Sequence, residues 1–205
     1  YRAAVHLARS GVLSCAPVSL AAPPRDAYRE PGYPFLLAAY WRLARVPLSD
    51  EAPESWTVLP GAAARGIAVV GALLLAATAA GAGFAARLAG ASGQAAVAAA
   101  VLVVASPALR QAALVPGSEG LAAALVTLAG CGLAAAVKRG EGGDIRGLAL
   151  AGLATGLCPL ARGAAIALVP AGVLVLLLVP RRVALRRRVA RAAAFACIAM
   201  LPVVL

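Results

Sequence analysis

"GIAVVGALLLAATAAGAGFAA", residues 66–86, is an unbroken run of 21 residues without a charge. A helix needs about 20 largely apolar residues to cross a hydrocarbon core about 30 Å thick, and this run meets that length. The rest of the chain agrees with it. Of 205 residues, 62% are hydrophobic and 13% charged, and the mean hydropathy is +0.89; a soluble domain is roughly 45–50% apolar and about 25% charged. The expected fold class is therefore all-α, a polytopic bundle of transmembrane helices in a lipid bilayer.

Further runs follow it toward the C-terminus. Residues 88–109 are uncharged, with "GASG" (90–93) marking a turn and 94–109 the deeper helix. Residues 120–137, 147–161 and 163–180 follow, and 192–205 form a last run cut by the chain end. Only Arg162 separates 147–161 from 163–180. An Arg at a helix centre costs roughly 2.5–3.5 kcal/mol on the insertion scale, so two spans meeting at a tight turn are expected there. The expectation is two regions: residues 1–65, an extracytoplasmic loop region with short interfacial amphipathic helices, and residues 66–205, about six transmembrane helices with the last truncated. The chain begins at Tyr1 without Met, and no signal peptide or apolar span lies within its first 65 residues, so it reads as a fragment.

The basic residues orient the spans. Arg87, then Lys138, Arg139 and Arg146, then Arg181, Arg182, Arg186, Arg187, Arg188 and Arg191 fall on one side, while the short connections on the other hold Arg110 and Arg162. The positive side stays cytoplasmic, which puts residues 1–65 outside a cell membrane crossed several times. Asp26, Glu30, Asp50, Glu51, Glu54 and Glu119 then share the outer face, and Glu141 and Asp144 the inner one. The net charge of +11 is explained by this topology. Nucleic-acid binders carry their cations as a patch on a folded polar surface, and here they fall between apolar runs, so no nucleic acid is expected as a partner. The run "RRVALRRRVAR" (181–191) reads as an inner anchor touching anionic lipid. Cys15, Cys131, Cys158 and Cys197 show no metal-binding spacing.

Four separated stretches resemble one family. "YRAAVHLARSGVLS" (1–14) with "YREPGYPFLLAAY" (28–40) is similar to the first outer loop of GT-C type membrane glycosyltransferases, the lipid-linked-sugar enzymes akin to protein O-mannosyltransferases and the lipid A aminoarabinose transferase. "FAARLAG" (84–90) resembles their inner turn, and "SPALRQAALVPGSEGLAAALVTLAG" (106–130) their second outer loop, where an acidic residue opens a helix. "LALAGLATGLCPLARGAAIALVPAGVLVLLL" (148–178) is similar to their Gly-Leu-Ala element followed by Leu-Thr-Arg-Pro. Two departures stand out. Gly163 replaces the Pro after Arg162, and the catalytic Asp, expected just before Tyr1, is missing.

The resemblance implies transfer of a sugar from a dolichyl- or polyprenyl-phosphate donor to an acceptor at the outer face, by a fragment inactive alone because its base is missing. It implies that Arg29, Arg162 and Tyr33 face the donor phosphate, and that Glu119, Glu30 and Asp26 supply carboxylates, with a divalent cation as a candidate cofactor. A guanidinium suits phosphate because its planar fork donates two parallel hydrogen bonds.

The same residues carry plainer readings. "REPGYP" (29–34) is a loop that ends at a helix, with Gly32 giving a tight turn. Tyr33, Trp41 and Trp56 are interface anchors. Glu119 follows a capping Ser118 and meets the positive end of a helix dipole. Arg162 snorkels to the headgroups, and His6 is a surface residue. A transporter and a membrane scaffold without chemistry are the competing functions.

Overall fold

The computed structural model of the chain describes residues 2–15, 30–46, 48, 61–115, 117–138, 145–179 and 183–204. Among these the regular structure is helical throughout, with no strand. Two short helices come first, α1 (Arg2–Ser10) and α2 (Gly32–Leu43). The long helix α3 (Gly61–Leu88) contains the run 66–86 and extends it by a turn and more at its start, taking in Arg65. After it come α4 (Gly93–Ala105), α5 (Pro107–Leu114) and α6 (Glu119–Lys138). The chain then folds into α7 (Ile145–Ala161), a 3-10 segment (Gly163–Ala167), α8 (Leu168–Leu178) and α9 (Leu185–Val204).

Two of these helices, Ala63–Leu88 of α3 and Glu119–Lys138, are long and apolar enough to cross a membrane, and α4 with α5 adds a third if the bent pair is one span. Among the described residues two or three of the about six expected spans thus have that length and composition, for identifiable reasons. Residues 94–109 do not form one straight helix: the pair bends by 56° at Ser106. Pro107 disfavours helical backbone at the residue before it, and Ser106 is accordingly extended (φ −62°, ψ 118°). Its N–H still closes α4 on Leu102 O (3.0 Å), and its Oγ accepts from Leu109 N at the start of α5 (3.5 Å). Helix α7 and the segment Gly163–Leu178 are apolar but shorter than a span, because Arg162 divides them. Helix α9 is 20 residues long but carries Arg186, Arg187, Arg188 and Arg191 near its start.

Small residues set the packing. Gly132 of α6 faces Gly147 and Ala151 of α7 so closely that a Cβ on Gly132 would lie 2.6 Å from Gly147 O and 2.7 Å from Ala151 N. Such approach is how helices associate where lipid removes the hydrophobic drive between them. Cys131 donates from Sγ to Gly81 O (3.1 Å), joining α6 to α3. One apolar cluster, Ala136, Leu148, Ala151, Leu176, Ala192 and Phe195, unites α6, α7, α8 and α9. Elsewhere the helices turn apolar side chains outward: Val97 is 64% and Leu102 70% exposed on α4, a surface compatible with lipid.

A second cluster brings α1 and α2 onto α3 through Val5, Tyr33, Leu37, Trp41, Ile67 and Val70. Arg42 of α2 fastens this unit by donating from Nε to Ala8 O (2.7 Å) and from Nη2 to Leu7 O (2.8 Å), near the open end of α1. Three sequence readings are corrected here. Tyr33 (6% exposed) and Trp41 (1%) are core residues, because α1 and α3 cover the α2 face that carries them, so neither is an interface anchor. His6 is buried at 3%, on the face of α1 that also buries Ala3, Ala4, Val5 and Leu7. Trp56 lies outside the described residues.

Candidate functional site

The helices run back and forth between two ends of the bundle. Lys138 reaches Leu88 O, so α3 and α6 finish together, and α7 then returns to the end where α6 began. At that returning end stands Arg162.

The turn before α2 meets it. Glu30 is exposed and precedes Pro31 and Gly32, and Phe35 N donates to Pro31 O (2.9 Å) as α2 begins. Gly32 is the first residue of α2. A Cβ placed on it would lie 2.8 Å from Leu160 O and 3.2 Å from Ala161 N. The glycine is therefore required by close approach to the last residues of α7, and the tight-turn reading of Gly32 gives way to a packing one. The residue after Ala161 is Arg162, extended (φ −155°, ψ 108°) between α7 and the 3-10 segment. Its N–H bonds Cys158 O and its carbonyl accepts from Ala165 N, both at 2.8 Å. The backbone is pinned on both sides while the side chain is exposed, and its guanidinium has no partner among the described residues.

Glu119 opens α6 at the same end. Its side chain is exposed and its carboxylate turns back over Gly117. Ala122 N bonds Ser118 O (2.8 Å). A carboxylate in the first helical turn gains about 0.3–1 kcal/mol from the dipole. Leu121, two residues on, packs against the cluster holding Tyr33 and Trp41. The structure thus brings the Glu30–Gly32 turn directly against the approach to Arg162 and sets Glu119 at the same end of the bundle. Asp26 and Arg29 lie outside the described residues. Glu30 and Glu119 are the acidic residues among the described ones, and both stand at this end. Among the described residues no three His, Cys, Asp or Glu side chains gather where they could hold a metal ion.

Tyr33 sits one residue inside this turn. Its phenol is buried in the α1–α2–α3 cluster, and its Oη has no hydrogen-bond partner among the described residues. Burial disfavours the phenolate and pushes its pKa up to about 12. It is a neutral donor at any physiological pH. The contact between Gly32 and Leu160 was invisible to sequence reading, since two prolines around a glycine indicate a turn equally well and nothing in the spacing names a partner so far along the chain.

No family model, curated protein or solved structure matches the chain.

Proposed function

We propose that the chain is part of an integral-membrane glycosyltransferase of GT-C type that takes a sugar from a polyprenyl-phosphate donor at the outer membrane face, with residues 1–65 on that side. One observation carries the reading: Gly32 seats the Glu30–Pro31 turn against Leu160 and Ala161, beside an exposed Arg162 whose guanidinium has no partner among the described residues. In the reaction the acceptor oxygen bonds the anomeric carbon as the bond from that carbon to the phosphate oxygen breaks, and the lipid phosphate leaves with its charge. Arg162 would neutralise that charge through a two-pronged hydrogen bond. Arg29, preceding Glu30 in the sequence, is the second cation assigned to the donor; Tyr33, which the resemblance also implies for the donor, is buried among α1, α2 and α3 and supports the turn instead. Glu119, with Glu30 and Asp26, supplies carboxylates for a divalent cation or for orienting a base. The acceptor proton goes to a general base, for which the resemblance implies an Asp and to which no described residue is assigned.

The test is binding of polyprenyl phosphate, against uncharged polyprenol of the same length, to the protein in nanodiscs. A hydrogen bond to a charged group is worth about 1.5–3 kcal/mol, so Arg162→Ala should reduce the preference for phosphate about tenfold or more, with Arg162→Lys intermediate. An unchanged preference would remove Arg162 from the donor site. The 56° break between α4 and α5 favours a transporter as the second reading, since discontinuous helices hold substrates in such proteins. Substrate-driven flux across a sealed vesicle, unaffected by Arg162→Ala, would decide for it.

A further inference from the structure

We propose that the opposite end of the bundle, the one without a described acid, is a belt of fixed cations that binds the phosphate groups of anionic phospholipids. Its members come from helices far apart in sequence. Lys138, the last residue of α6, donates from Nζ to Leu88 O (2.7 Å) at the end of α3, beside Arg87. A Cβ on Gly147 of α7 would lie 3.3 Å from Ala136 N, so the exposed Arg146 stands next to the last turn of α6. Val137 and Leu177 pack against one cluster, and Leu177 O accepts from Arg188 Nη1 (2.8 Å). Arg186 and Arg187 are exposed in the first turn of α9.

Two independent features give these cations an unmet need for anions. Lys138 and Arg188 spend donors on carbonyls at the ends of α3 and α8, which fixes their positions and leaves their charge without a described carboxylate. Arg188 Nε is in addition buried without a hydrogen-bond partner among the described residues. Arg146, Arg186 and Arg187 occupy first turns, where the helix dipole is already positive, cations are disfavoured and anions are favoured. The surroundings select a lipid over a free anion. Beside the charges lie exposed apolar side chains: Phe84 near Arg87, Ile145 next to Arg146, Leu178 at the end of α8 and Leu185 next to Arg186. Apolar surface rimmed by fixed cations matches an acyl chain below an anionic headgroup.

The experiment reconstitutes the full chain in phosphatidylcholine bilayers and measures the association of spin-labelled phosphatidylglycerol relative to spin-labelled phosphatidylcholine. Wild type should prefer the anionic lipid. Arg146→Gln and Arg186→Gln should each lower the ratio by up to about fivefold, the factor for one basic residue near an anionic surface. Inorganic phosphate should displace the lipid no better than chloride at matched ionic strength, and stronger displacement by phosphate would point to a free-anion site and overturn the lipid assignment. Equal association of the two lipids, or a ratio untouched by both variants, would overturn it too. If a variant loses helicity, wild type in concentrated chloride provides the second measurement: screening should abolish the preference, and its persistence would refute the belt.

Discussion

Gly130 and Gly132 lie two residues apart on α6 and should respond to Ala with opposite signs. Gly130 is exposed and a Cβ there meets nothing within 4 Å. Gly130→Ala should therefore gain the helix propensity difference, about 0.5–1 kcal/mol. At Gly132 the same methyl would meet Gly147 O at 2.6 Å, Ala151 N at 2.7 Å and Ala151 Cβ at 2.9 Å. Two of these are backbone atoms that cannot rotate away, so α6 and α7 must separate. Overpacking costs about 1–3 kcal/mol, and after the same propensity gain Gly132→Ala should lose up to about 2 kcal/mol, and Gly132→Leu more. The assay is reversible unfolding in mixed micelles followed by far-UV circular dichroism, each variant against wild type. Two shifts of the same sign and size would refute the close α6–α7 crossing.

Four further outcomes follow from particular residues. Gly32→Leu should lower polyprenyl-phosphate binding together with Arg162→Ala while leaving helicity near wild type, since it pushes α2 off Leu160 and Ala161; undiminished binding would detach the turn from Arg162. Arg45 ends α2 at φ 49°, with Val46 N bonded to Trp41 O (3.0 Å), a left-handed cap that suits glycine; Arg45→Gly should stabilise by about 1 kcal/mol in the same unfolding assay. Tyr33, raised from 10.0 to about 12, favours its protonated form when folded, so its contribution is complete below about pH 10 and is lost as pH rises toward 12; Tyr33→Phe should shift the alkaline unfolding midpoint upward, and an unmoved midpoint would refute the burial. Single cysteines at positions 44 and 146, with the native cysteines replaced, should react with an impermeant thiol reagent from opposite sides of the membrane, and labelling of both from one side would reject the sidedness.

Much of the helical content was legible because it rests on composition alone: residues 66–86 and 120–137 are apolar throughout, and no alternative lets such runs satisfy their backbone in lipid. The number of spans was not legible in the same way. Ser106–Pro107 and Arg162 lie inside or between apolar stretches, and whether such a point kinks, caps or ends a helix depends on local hydrogen bonds that a count of apolar residues ignores. Aromatic position was ambiguous for a related reason. Tyr33 and Trp41 suit both an interface and a core, and the helix that covers them, α3, decides. At the candidate site the sequence marked Arg162, Glu30 and Glu119 as charges on one face, but that Gly32 joins two of them is a fact of packing with no periodicity to announce it.

The clamp between Gly32 and Leu160 also fixes an order of assembly. Most of the close helix contacts join chain neighbours, as α6 with α7 and α8 with α9, and such local contacts form with little loop-closure cost. Gly32 and Leu160, by contrast, are separated by α3, α4, α5, α6 and most of α7, so the seat beside Arg162 can close only after those helices exist. During synthesis α1 and α2 must wait, already fastened to each other through Arg42, until the far end of α7 emerges. The contact is therefore a late one: a chain that stops before Leu160 lacks the surface on which Gly32 sits.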